Sequence, residues 1–136
     1  MIGNLRELQP ATRRSGLLSQ RRSWMPLPLA TNWSAYATTE QAPEFSVRDG
    51  EIRLRGMVKK TVAVVADEKI GTLPVASRPR FASTCMASCS GGRSPIGVQV
   101  KPNGEVWVLK DGQTAYGAGY DPGTYTILDG VVAWLG

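Results

Sequence analysis

An all-β chain, folded as an antiparallel β-sandwich of jelly-roll-like form behind an extended N-terminal arm, is what this sequence should produce. Three observations point there. Turn dipeptides stand between alternating runs at Asp49-Gly50, Asn103-Gly104 and Asp129-Gly130, and such pairs supply the positive φ that tight hairpins need. No amphipathic segment of helical length follows residue 30. Glycine (15 residues) and proline (9) are frequent enough to punctuate many short strands.

Taken in order, residues 1–30 read as an extended basic docking arm and residues 31–136 as the sandwich. The arm holds Arg6, Arg13, Arg14, Arg21 and Arg22 against Glu7 alone, while the whole chain carries a formal net charge of only +5. The remainder is therefore close to neutral. The segment "WMPLPLAT" (24–31) sets Trp24, Met25, Leu27 and Leu29 among prolines. Proline holds it extended, so it needs an apolar surface, and a neighbouring subunit is the expected host. The docking set is Arg13, Arg14, Arg21, Arg22, Trp24, Met25, Leu27 and Leu29. A nucleic acid backbone offers charge but no apolar groove, and the near-neutral domain lacks basic residues interleaved with aromatics. Nucleic acid is therefore disfavoured as the arm's partner.

"EFSVRDGEIRLRGMV" (44–58) reads as a hairpin about Asp49-Gly50, with Ile52, Leu54 and Val58 on one face and Glu51, Arg53 and Arg55 on the other. "TVAVVA" (61–66) reads as a further strand, apolar on both faces. In "IGTLPVASRPR" (70–80), Pro74 and Pro79 each remove an amide donor and exclude a helix. This stretch should end one strand, turn, and begin another, with Leu73 anchored in the core and Arg78 bonding either loop carbonyls or a carboxylate on a neighbour. "RFASTCMASCS" (80–90) alternates weakly. "PIGVQVKPNGEVWVLK" (95–110) is a hairpin about Asn103-Gly104, and "TYTILDGVVAWL" (124–135) a third about Asp129-Gly130.

The last two hairpins carry apolar side chains on both faces. A solvated antiparallel sheet keeps one face polar, so the second face, with Trp107, Leu109, Val132 and Trp134, is expected to meet another subunit.

Catalysis finds little to work with. The chain has no histidine, which removes Ser-His-Asp and Cys-His pairs and histidine-ligated zinc. No acidic pair falls at a catalytic spacing, no glycine-rich loop sits in a phosphate-binding context, and no cofactor or metal is expected. The expectation is a non-enzyme. Cys85 and Cys89 are too few for a disulfide scaffold. On one strand they would stand about 13 Å apart, beyond bridging reach. The glycine-rich loop "KDGQTAYGAGYDPG" (110–123) places Tyr116 and Tyr120 between Asp111 and Asp121, a composition suited either to holding a sugar or protein partner or to folding the tyrosines back on the sandwich. No apolar run approaches the roughly 20 residues of a membrane span. Pro26 and Pro28 interrupt the apolar stretch that an export signal would require.

Five quoted pieces, in order and spacing, resemble the small C-terminal β-domain of phage tail fibres and minor tail proteins, especially of phages that infect actinobacteria. "NWSAY" (32–36) is similar to the family's opening aromatic motif. "VRDGEIRLRGMV" (47–58) resembles its glycine-led strand, and "IGTLPVASRP" (70–79) its T-L-P…R-P segment. "VQVKPNGEVWV" (98–108) and "TYTILDGVVAWL" (124–135) resemble its two later hairpins. Val75-Ala76 replace the family's glycine, Ser77 its aromatic, and Tyr125 its tryptophan. The resemblance implies a structural role in the virion, assembled in the host cytoplasm, and a homotrimer bound to other virion structural proteins, with Asp111, Tyr116, Tyr120 and Asp121 as a receptor loop for a host cell-surface glycan or protein. A capsid decoration protein that cements the head is the alternative, and a nucleic-acid-binding module acting through the arginine arm a more distant one.

Overall fold

The computed structural model describes residues 22–60, 66–89, 95–109 and 125–136. They form β1 (Met25–Pro26), β2 (Trp33–Ala35), β3 (Glu44–Arg48), β4 (Glu51–Arg55), β5 (Met57–Lys60), β6 (Glu68–Thr72), β7 (Ser83–Ala87), β8 (Ile96–Val100), β9 (Glu105–Leu109), β10 (Tyr125–Ile127) and β11 (Val132–Trp134). The strands build a four-stranded sheet β1-β3-β4-β11, a three-stranded sheet β10-β5-β2 and a four-stranded sheet β6-β9-β8-β7. Every pairing is antiparallel. Ile52, Leu54, Val58, Ile70, Leu73, Ile96, Val98, Val100, Val106, Val108, Leu128 and Val131 fill the space between the sheets and are almost fully removed from water. The antiparallel β-sandwich is thus present.

The β3–β4 hairpin turns where expected, with φ of 51° at Asp49 and 78° at Gly50, the signs a type I′ turn requires. The β8–β9 hairpin turns one residue differently. Gly104 N–H donates to Lys101 O at 2.8 Å, and Lys101 N–H to Glu105 O at 2.9 Å. Of the two expected turn residues only Gly104 has positive φ, at 89°. Pro102 takes the second position of a type I turn, which its fixed φ suits, and Gly104 supplies the bulge after it.

The third expected hairpin is not one. β10 pairs with β5 and β11 with β4, so the strands either side of Asp129-Gly130 lie in different sheets. Gly130 has φ 86° while Asp129 is not positive, and a turn of that kind splays its strands. The single strand expected over 51–58 breaks at the same level. At Gly56 φ is 104°, and a Cβ there would run into the Ala42 carbonyl. The two segments turn the corner together, tied by Gly56 N–H to Asp129 Oδ1 at 2.7 Å and Leu128 N–H to Gly56 O at 2.8 Å.

The 70–80 stretch behaves largely as read. β6 ends at Thr72, Leu73 is buried, and Arg78 Nε donates to Leu73 O at 3.1 Å. Pro74 introduces one 3-10 turn, Val75–Ser77, a piece short enough for proline to begin it. Most of the strand expected over 61–66 lies outside the described residues. Neither Cys85 nor Cys89 is in a disulfide, and Cys89 is buried.

The root of the arm departs from expectation. β1 pairs with the edge of β3, and Leu27 N–H bonds Pro43 O at 3.1 Å. One and three residues on, Thr72 N–H bonds Pro28 O at 3.0 Å and Ala30 N–H bonds Ile70 O at 2.8 Å, along the edge of β6. Leu27 is 4% exposed, inside the chain's own core. The host expected from a neighbouring subunit is, for Leu27, this same domain. β3 and β6 each offer an open edge, and a segment with alternate prolines suits an edge because it needs few donors.

Candidate functional site

Alternation along β4 decides what the outer face of the β1-β3-β4-β11 sheet carries. Ile52 and Leu54 face the core, so Glu51, Arg53 and Arg55 must face out. Register then sets their neighbours. Arg48 lies opposite Glu51, Ser46 opposite Arg53 and Glu44 opposite Arg55. On the other side Val132 lies opposite Arg53, and Trp134 opposite Glu51.

Charge pairing orders this face. Arg22 reaches across from the arm root, donating from Nη1 to Ser46 Oγ at 3.0 Å and Glu51 O at 3.3 Å, while Nη2 pairs with the Glu51 carboxylate. This satisfies the Ser46 hydroxyl, which is buried. Arg53 Nε donates to the same carboxylate at 2.5 Å. Arg55 grips Glu44 Oε1 through Nε at 2.8 Å and Nη2 at 2.6 Å, and its guanidinium lies over the Trp24 ring, 4.0 Å from the centroid.

Two open troughs result. The larger, about 530 Å³, is bounded by Trp24, Gln41, Arg53, Arg55, Asp129 and Val132. The smaller, about 250 Å³, is bounded by Arg22, Arg48, Asp49, Glu51, Arg53 and Trp134. Arg53 lines both. Aromatic plates, guanidinium donors and carboxylate acceptors in one place equip the face for binding. Among the described residues no cluster of histidine, cysteine or carboxylate side chains could hold a metal ion. No helix among them is long and apolar enough to cross a membrane.

The structure divides the expected residues. From the docking set, Arg22 and Trp24 join this face, Met25 is exposed, Leu29 is half-buried and Leu27 is core. Arg13, Arg14 and Arg21 lie outside the described residues, as do Asp111, Tyr116, Tyr120 and Asp121 of the glycine-rich loop. The expected subunit-interface residues fall on separate sheets. Val132 and Trp134 belong to the face just described. Trp107 and Leu109 belong to the outer face of β6-β9-β8-β7. There Trp107 donates from Nε1 to Glu105 Oε1 at 3.1 Å, under the Lys101 ammonium 4.1 Å from its ring centroid. The Trp107 indole N–H is the largest influence holding the Glu105 carboxyl below its ordinary value of 4.5, with Asn103 and Lys69 adding to it.

Arg53, Arg55 and Gln41 were not foreseen as site residues. The alternating Glu51-Arg53-Arg55 signal was visible, but not that two distant tryptophans would flank it.

No protein-family model matches this chain, and no curated protein matches it. Among solved structures it is similar to the receptor binding protein (gp15) of Listeria phage PSA, with a TM-score of 0.65 at 14% sequence identity. The likeness covers 96% of this chain and 75% of that one. At this identity what the two chains share is a fold.

Proposed function

We propose that this chain is a virion structural protein of the phage tail or fibre class, a minor tail component whose β-domain contacts the host surface. The observation that carries the reading is the likeness of fold to a phage receptor binding protein along nearly the whole chain. The ordered motifs from "NWSAY" to "TYTILDGVVAWL" support it independently.

In this reading residues 1–21 dock on other virion proteins, and the β-domain is a homotrimer. Its contact is the outer face of β6-β9-β8-β7, where Met86, Gly97 and Leu109 form one row by register. Met86 is 59% exposed, and Leu109 lies across Gly97, so the row is a flat apolar strip that a second copy would cover.

Gold-labelled antibody against the purified protein should mark the tail of intact particles. The purified protein added before infection should slow adsorption. Label on the head would transfer the chain to the decoration class, and an unlabelled particle would refute the proposal.

A further inference from the structure

We propose that the two troughs on the outer face of β1-β3-β4-β11 form one binding site for a short oligosaccharide, with Trp24 and Trp134 as its stacking plates and Arg53 as the donor between them. For its biological setting this rests on the host-contact reading above. It places the ligand on the sheet rather than on the 110–123 loop.

Three observations select the ligand class. First, the face carries Arg22, Arg48, Arg53 and Arg55 against Glu44, Asp49, Glu51 and Asp129. Balanced charge gives no advantage to a polyanion, whose affinity comes from unopposed cations. Second, donors and acceptors are interleaved at short range, with Arg53 and Gln41 beside Asp129 in one trough and Arg48 beside Asp49 in the other. A ring bearing adjacent hydroxyls, each both donor and acceptor, can use that alternation. Third, Trp134 is 56% exposed, and Trp24, half-buried with the Arg55 guanidinium over its ring, lines the larger trough. Such rings offer an apolar plate to the C–H face of a sugar at little entropic cost, because each indole has only two rotatable bonds.

The spacing indicates more than one ring. Trp134 stands opposite Glu51, and Trp24 stacks with Arg55, four residues along the same strand. Residues that far apart on a strand are separated by about 13–14 Å. Arg53 lies midway and borders both troughs. Glu51 binds its Nε, while 52% of the Arg53 side chain remains exposed. The guanidinium is thus oriented and still open to solvent.

The four tryptophans provide the test and its internal control. On the full-length protein, indole N–H resonances are followed in ¹H–¹⁵N spectra and assigned through single Trp→Phe variants. Maltotriose, cellotriose, the N-acetylglucosamine trimer and polysaccharide released from the host cell wall are titrated separately. At least one of these should shift Trp24 and Trp134 while leaving Trp33, buried against Glu68, and Trp107 unmoved. Trp134→Ala and Arg53→Ala should each weaken that binding at least about tenfold with no change in thermal midpoint.

The inference fails if none of the four probes moves Trp24 and Trp134, or if Trp107 responds instead. It also fails if Trp134 shifts on concentrating the protein alone, since the face would then be a contact between copies. Particles labelled at the tail combined with no indole shift would sink this site and leave the proposed function standing. Indole shifts combined with unlabelled particles would do the reverse.

Discussion

Removing residues 1–21 should leave the β-domain folded, whereas extending the cut through Ala30 should unfold it. The second cut exposes the space vacated by Leu27, whose burial contributes about 1.5–3 kcal/mol. It also deletes the backbone bonds Leu27 N to Pro43 O, Ala30 N to Ile70 O and Thr72 N to Pro28 O, each worth about 0.5–1.5 kcal/mol net. Loss of Arg22 leaves the Ser46 hydroxyl, 1% exposed, without that partner, at a cost of about 1–3 kcal/mol. Together these approach about 4–10 kcal/mol, comparable with the whole stability of a typical domain. The edges of β3 and β6 would also be opened to pairing with other chains. Urea denaturation followed by far-ultraviolet circular dichroism compares the two truncations with the full chain. The 1–21 deletion should keep its midpoint, and the 1–30 deletion should show no cooperative transition, or aggregate. Leu27→Ala should by itself cost about 2–5 kcal/mol. A 1–30 deletion that unfolds cooperatively at the full-length midpoint would refute the view that this segment is part of the sandwich.

Three further outcomes are expected. Gly56→Ala should destabilise by about 2 kcal/mol or more, since it joins a positive φ to a collision with the Ala42 carbonyl. Gly130→Ala, with open space around it, should cost only about 1–2 kcal/mol. Chemical denaturation separates the two, and equal costs would remove the special role given to the corner at Gly56. Glu105 titrates below 4.5 in the folded protein. A carboxyl lowered in this way contributes stability above its unfolded pKa that is lost as pH falls through the folded one. Trp107 emission should therefore titrate below pH 4.5, and Trp107→Phe should move the Glu105 titration, followed by NMR, up toward that value. Met86→Asp should dissociate the proposed trimer in light scattering while Trp134→Ser leaves it intact, and the opposite pattern would move the contact to the other sheet.

What the sequence revealed, and what it hid, divides along the range of the interaction involved. Asp49-Gly50 was legible because a type I′ turn is decided by two residues and their φ angles. A carbonyl of its own loop was one of two legible partners for Arg78, and the Leu73 carbonyl, five residues away, is the one it takes. Asp129-Gly130 shows the same signature, yet its flanking strands part company. The reason is distant: at Gly56, 73 positions away, a positive φ carries the chain from β4 into β5 of another sheet, and the Gly56 N–H donates to the Asp129 carboxylate. A dipeptide fixes that the chain turns, and the partner strands decide whether the turn closes a hairpin. The arm root follows the same logic. "WMPLPLAT" declared itself extended and apolar, which is a local property. That its groove lay between β3 and β6 depended on which edges the other strands left open. The candidate face is the extreme case, because Arg22, Trp24, Arg53 and Trp134 meet only through the pairings of β1, β3, β4 and β11. Each residue has an ordinary reading alone, as a tail arginine, a sticky indole, a solvated strand position and an apolar strand end. A binding face built by register across a sheet leaves no contiguous motif, so in this fold the place to look for function is the outward half of a strand whose inward half is core.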